Sequence, residues 1–272
     1  MNNKQPLVFR LFLIIFIILP LNANAVGELL VSPTRIILEG RERSAEVKLA
    51  NKSDKPATYR LSFQDLSMEE SGGYKELSES MPYDKTASNM IRFSPRQVTL
   101  QPGEVQNVRL MVRKPKDIEE AEYRTHLFFK AIPSEKDSRY HIEEQKSGGK
   151  NLSVKLIPIF GVSIPVIVRH GELDSNISIE NAHIAKDKKN LFFALKREGM
   201  ASRYGNLNVI HQKSGGESEI IKEIRGIGVL YPLDKRKVEI ALNENINSGK
   251  LYIEYRDAED EDLILAKEEI TL

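Results

Sequence analysis

The chain has 272 residues, with 40 Lys and Arg against 39 Asp and Glu and a formal net charge of +1. That balance argues against nucleic acid or an anionic membrane surface as a partner, since both select a basic excess. There is no cysteine and no tryptophan, so neither a disulfide framework nor thiol chemistry is available and stability must come from a core of adequate size.

In chain order, Lys4 and Arg10 precede an apolar run, Leu11 to Leu21, and a small-residue stretch, Ala23-Asn24-Ala25. This pattern predicts an export signal over residues 1–25 that is cleaved, with the mature chain starting at Val26. The run is shorter than the roughly 20 residues that a membrane span needs, and an exported chain without disulfides suits a bacterial periplasm. Strands are predicted at Glu28–Leu38, with Pro33 marking an edge, then at Ser44–Ala50 and Thr58–Leu66. Residues 67–90 are polar with Gly72-Gly73 and read as a loop or short hairpin. Met90–Phe93, Gln97–Leu100, Val105–Val112 and Tyr123–Ile132 follow as strands, and Asp117–Ala121 could form one helical turn. Ser134–Lys150 is charged and contains Gly148-Gly149.

The longest periodic stretch comes next. From Leu152 to Ile164 every even position is apolar: Leu152, Val154, Leu156, Pro158, Phe160, Val162 and Ile164. A period of two makes this one face of a strand about 40 Å long. Pro158 and Pro165 cannot donate to a ladder, which places the strand at a sheet edge. Their odd separation implies a bulge between them, most simply at Gly161. A long apolar edge strand is an aggregation hazard unless it pairs with another chain. The bland alternative is that Leu152–Ile164 fills this protein's own core.

After His170-Gly171-Glu172 a second series begins: Ile177–Ile184, Leu191–Lys196, Leu207–Gln212, Glu219–Val229, Lys237–Leu242, Leu251–Tyr255 and Leu263–Leu272. Short strands at near-regular spacing, with no amphipathic helix, predict an all-β protein of two β-sandwiches. The expected domains are 26–170 and 171–272.

Catalytic chemistry has little support. The chain carries no H-E-x-x-H, G-x-S-x-G or Walker pattern. His126, His141, His170, His183 and His211 lack metal-ligand spacing. His126 reads as a satisfied structural histidine, and the acidic run Asp257–Asp262 as a solvated hairpin. The expectation is therefore not an enzyme, with no cofactor, no metal and no small-molecule substrate.

Four segments carry a family resemblance: SPTRIILEG (Ser32–Gly40), KLANKSDKPATYRLSF (Lys48–Phe63), IRFSPRQVTLQPGEVQNVRL (Ile91–Leu110) and EYRTHLFFKAIP (Glu122–Pro133). They resemble the periplasmic pilus-assembly chaperones of the chaperone–usher pathway over most of residues 28–170. The resemblance implies two immunoglobulin-like domains in an L or boomerang. It also implies a periplasmic function: binding pilin-like subunits by donor-strand complementation and delivering them to an outer-membrane usher. The donor residues would be Leu152, Val154, Leu156, Phe160, Val162 and Ile164. Arg35 would bind the subunit's C-terminal carboxylate, a task that suits a guanidinium. The family's second basic residue is a lysine, and here Pro165 stands in its place; Lys155, Lys130 and Arg169 are the candidates to replace it. A self-capping homodimer of the free protein is left open. The alternative reading is a stand-alone immunoglobulin-like binding or structural protein not coupled to an usher.

Overall fold

The computed structural model describes residues 29–77, 85–133, 159–242 and 246–272. Among them there is no α-helix, and the only helical turn is a 3-10 turn at Ser88–Met90. The expected turn at Asp117–Ala121 is irregular until the strand that starts at Ala121.

The first set of strands comprises β1 (Leu29–Ser32), β2 (Ile36–Leu38), β3 (Ser44–Asn51), β4 (Ala57–Gln64), β5 (Leu66–Met68), β6 (Tyr74–Glu76), β7 (Ile91–Ser94), β8 (Gln97–Leu100), β9 (Val105–Val112), β10 (Ala121–Ile132) and β11 (Gly161–His170). They form one sheet in the order β1-β3-β9-β7 and a facing sheet in the order β2-β11-β10-β4-β8, while β5 and β6 make a separate hairpin. Alternation explains the core. Val47 and Leu49 on β3, Val108 and Leu110 on β9, and Leu127 and Phe129 on β10 are fully buried between the two sheets.

The single strand expected over Glu28–Leu38 is two. Pro33 ends the ladder with β3, and Pro33-Thr34-Arg35 carries the chain across to the opposite sheet, where β2 pairs in parallel with β11. Proline cannot continue the donor row, so the strand breaks there. The NKSDKP turn after β3 is organised by Asn51. Its buried amide donates to the Lys55 and Leu100 carbonyls at 2.7 and 3.0 Å and accepts from the Ser53 amide at 3.0 Å.

The remaining strands are β12 (Ser175–Ile184), β13 (Asn190–Gly199), β14 (Arg203–Gln212), β15 (Ser218–Val229), β16 (Lys235–Ala241), β17 (Lys250–Asp257) and β18 (Ile264–Thr271). They form sheets β12-β13-β16 and β15-β14-β17-β18, which enclose a second core around Leu191, Leu195, Leu207, Val209, Leu251 and Tyr255. The chain is thus two immunoglobulin-like β-sandwiches.

The bulge expected at Gly161 is absent. The β10–β11 pairing runs unbroken from Lys130↔Gly161 to Ala121↔His170. Gly161 makes room for a neighbour instead: a Cβ there would overlap the tip of the Phe128 ring, which lies across it and would have to shift.

Phe129 is fully buried at the centre of the first core. Phe129→Ala should cost about 3–5 kcal/mol, read as a lowered midpoint in urea unfolding.

Candidate functional site

Along β10 the odd residues Thr125, Leu127 and Phe129 face the first core, so Glu122, Arg124 and His126 face outward. These three polar residues are nonetheless buried. Opposite them on β11 stand Arg169, Ile167 and Pro165, while Ile164, Val166 and Val168 point into the core. The outer face of this ladder is where the second sandwich and the β5–β6 hairpin rest.

The joint is polar and directional. Arg169 donates through Nε to Glu122 Oε2 at 3.2 Å, through Nη1 to Glu39 Oε2 at 3.1 Å, and through Nη2 to the Ser202 carbonyl at 3.0 Å. Glu122 Oε2 also accepts from the Ser202 amide at 2.8 Å, and its Oε1 accepts from Ser202 Oγ. Arg124 donates to the Tyr231 carbonyl at 2.6 Å and to the Leu66 carbonyl at 3.2 Å. One side of each of these contacts belongs to β10 or β11. The other belongs to the second sandwich for Ser202 and Tyr231 and to the start of the hairpin for Leu66, while the Arg169 pairs with Glu122 and Glu39 lie within the first sandwich.

Beside this joint lies a cleft of about 300 Å³ whose lining includes Arg35, Ile37, Arg169, Arg203, Tyr204 and Asp257. The parallel pairing of Ile36 with Val166, carried back one residue, sets Arg35 alongside Pro165. Arg35 is half-buried, with its guanidinium carbon 4.7 Å from the centroid of the Tyr204 ring. No carboxylate pairs with it among the described residues. Arg203, from the second sandwich, donates to the Ser175 carbonyl at 3.2 Å, and its Nη1 lies 3.8 Å from Asp257 Oδ2. Burial holds the Tyr204 hydroxyl well above the usual phenol range, so it stays a neutral donor.

Leu152, Val154, Leu156 and Lys155 lie outside the described residues. Phe160 is 54% and Val162 38% exposed. Beside them, the outer edge of β11 is unpaired over Gly161–Pro165 among the described residues, because β2 reaches only Val166–Val168. The Ala131 amide donates to the Phe160 carbonyl at 3.0 Å, which turns even residues of β11 toward β10 and the nitrogen of Pro165 toward the open edge. Ile164 departs from the expected donor set. It is 3% exposed and packs in the protein's own core, so the outward apolar set among the described residues stops at Val162.

Of the stand-ins for the missing lysine, Arg169 is fully engaged in the joint. Lys130 is exposed at the far end of the ladder, opposite Gly161. His126 is buried as expected but not satisfied: neither ring nitrogen has a hydrogen-bond partner among the described residues. Burial, and then the charge of Arg124, lowers its pKa to about 4. Sequence reasoning missed the joint itself. Its signal was polar alternation, Glu122, Arg124 and His126, within a strand whose other face is apolar. Nothing in the sequence pointed to Ser202, Arg203 or Tyr204. Among the described residues no group of His, Asp or Glu could hold a metal ion.

The family model described as pili and flagellar-assembly chaperone, PapD N-terminal domain, matches residues 28–170. No curated protein matches the chain. Among solved structures the chain is similar to the YadV chaperone, at 13% identity over 90% of this chain and 100% of that one, with a TM-score of 0.45. It is also similar to a chain of the CsuC–CsuE chaperone–tip adhesion subunit pre-assembly complex of Acinetobacter baumannii, at 15% identity, 89% and 96% coverage and a TM-score of 0.43. A third is a chain of the Salmonella enterica SafA pilin–SafB chaperone complex, at 16% identity, 90% and 96% coverage and a TM-score of 0.42.

Removing the Glu122 carboxylate leaves the buried Ser202 amide without its acceptor, while Arg169 keeps Glu39 and the Ser202 carbonyl. Glu122→Ala should therefore cost about 1–3 kcal/mol, measured by urea unfolding, and should raise proteolytic cleavage between the sandwiches near Gly171.

Proposed function

Because the chain belongs to the pili and flagellar-assembly chaperone family, we propose that it caps pilus subunits by lending them a strand, that it does so in the periplasm after its leader is removed, and that it passes them to an outer-membrane usher. The observation that carries this reading is the open half of β11. Two large apolar side chains, Phe160 and Val162, stand exposed on a strand segment whose outer edge has no partner among the described residues.

A subunit that lacks a strand exposes an unpaired sheet edge and an apolar groove. The outward main-chain groups of Gly161 and Ser163 suit the edge, and the side chains of Phe160 and Val162 suit the groove. The apolar pattern continues upstream through Leu156, Val154 and Leu152, which would lengthen the contact. Each side chain fully buried contributes about 1.5–3 kcal/mol gross, against the cost of association and ordering. Nothing in this exchange requires nucleotide hydrolysis or a metal.

Arg35 is the group suited to the subunit's terminal carboxylate: it lines the cleft and has no carboxylate paired with it among the described residues, although Glu39, Glu42 and Glu259 also line that cleft. Arg203, loosely paired with Asp257 across the same cleft, takes the part of the second base that Pro165 cannot play. A bound carboxylate would then bridge the two sandwiches.

The test is capture of secreted subunits by the tagged mature chain in its own host, with co-purifying proteins identified by mass spectrometry. Phe160→Asp combined with Val162→Asp alters only exposed side chains, so it should leave the unfolding midpoint unchanged and weaken capture more than about a hundredfold. Capture by the folded double variant equal to wild type would sink the strand-donor reading. Arg35→Ala and Arg203→Ala should each weaken capture by roughly ten- to a hundredfold, the loss of a charge-assisted hydrogen bond. A subunit whose terminal carboxylate is amidated should bind wild type and both variants alike.

A further inference from the structure

Among the described residues the β5–β6 hairpin pairs with no other strand, and a two-stranded hairpin alone is marginal in water. Its hold on the rest of the molecule comes from contacts that cross to the second sandwich and to β10. At its tip the Glu70 carbonyl accepts from the Lys237 amide at 2.6 Å, and the Glu70 carboxylate pairs with Lys237 Nζ at 2.6 Å. Gly72, at φ +84°, is where the Arg236 side chain crosses; a Cβ there would sit 2.5 Å from the guanidinium. Tyr74 sets its ring edge-on to His126, with centroids 5.0 Å apart and an interplanar angle of 73°.

His126 is 1% exposed, and neither Nδ1 nor Nε2 has a partner among the described residues. On its own strand the charged group acting on it is Arg124, two residues along the same face. Gln64 of β4 and Pro165 of β11 stand abreast of it, and neither titrates. From β6 it meets Tyr74, with Arg236 of β16 and Tyr204 of β14 beyond. Asp65 follows the last residue of β4; its Oδ2 accepts from Ser88 Oγ at 2.8 Å and its Oδ1 is buried without a partner among the described residues. Among the described residues no carboxylate is paired with the ring.

We propose that the β5–β6 hairpin is an acid-released strap between the two sandwiches, with His126 as its trigger. A proton on the ring puts a second cation beside Arg124 at a buried site with no hydrogen-bond acceptor for it among the described residues. Relief comes when Tyr74, itself 46% exposed, lifts and lets water reach the imidazole. That movement pulls on the Glu70–Lys237 contact and uncovers the edge of β16. The joint is then left to Glu122, Arg169 and Ser202 and to the Arg124–Tyr231 hydrogen bond, and the angle between the sandwiches gains freedom while both cores stay folded. The device does not depend on the strand-donor reading.

The sign follows from the two states. With the strap down the ring binds its proton only near pH 4; with the strap lifted it titrates at about 6.5. Opening therefore takes up a proton and grows as pH falls through 6.5. The gain is roughly tenfold between pH 7.5 and 5.5 and about thirtyfold by pH 5. Glu70 does not interfere, since its hydrogen bond to Lys237 holds it below the usual carboxylate range and it stays ionised across that window.

The experiment is hydrogen exchange followed by mass spectrometry on the full mature chain from pH 7.5 to 5, corrected for intrinsic exchange. Protection of residues 66–76 and of the Lys237 amide should fall about tenfold by pH 5.5, while β3 and β9 keep theirs. His126→Phe should remove the pH dependence, with His126→Gln as the substitute if the phenylalanine variant does not fold. Tyr74→Ala should leave the hairpin unprotected at every pH. Hairpin protection that does not change with pH in wild type would overturn the proposal. So would the same loss in the His126 variants, or a simultaneous loss in β3 and β9.

Discussion

The arrangement of the two sandwiches depends on one buried carboxylate. Glu122 is 2% exposed, and its two oxygens receive Arg169 Nε, the Ser202 amide and Ser202 Oγ. A carboxylate withdrawn from water is tolerated only when its acceptor capacity is filled. Here that filling requires the first sandwich, through Arg169, and the second, through Ser202, to be in one relative position. An apolar joint of similar area would permit sliding, because dispersion and burial are not directional; these hydrogen bonds are. The cleft between Arg35 and Arg203 has its shape because Glu122 is satisfied.

β11 divides its work along its length. From Val166 onward it is an interior strand, flanked by β2 and β10 with Val166 and Val168 in the core. Before Pro165 it has one neighbour among the described residues, and ahead of the buried Ile164 its apolar side chains Phe160 and Val162 reach solvent. The ladder with β10 crosses this change without a break in register, so the exposed half is held in strand geometry by the buried half. A chaperone of pilus subunits that lends a strand gains from such support: the lent segment arrives already extended, and less entropy is lost on pairing than for a free peptide.

Periodicity made the sandwiches legible. The alternating residues of β3, β9 and β10 that the sequence marks as apolar are those that fill the cores, and the polar hairpin over Gly72-Gly73 sits where composition puts a turn. What was not legible depends on contacts between distant parts of the chain. Ile164 and Val162 have the same parity and similar hydrophobicity, and a period of two carries no information about where the protein's own core ends. Glu122, Arg124 and His126 look like the solvent face of an ordinary strand, and only the second sandwich and the hairpin bury them. Gly161 suggested a bulge because parity counts only the strand's own prolines, whereas the residue that Gly161 makes room for, Phe128, lies across the ladder. Arg203 and Tyr204 lie in the second sandwich, where no motif marks them.

Pro33 has a reach beyond its own turn. If β2 began three residues earlier in strand geometry, its parallel register would run alongside residues 163–165 and close the edge that now stands open. The chain instead leaves the first sheet at Pro33 and enters the second only at Ile36. A single ring without an amide proton, far upstream in the sequence, thus marks where, among the described residues, the protein stops completing its own sheet.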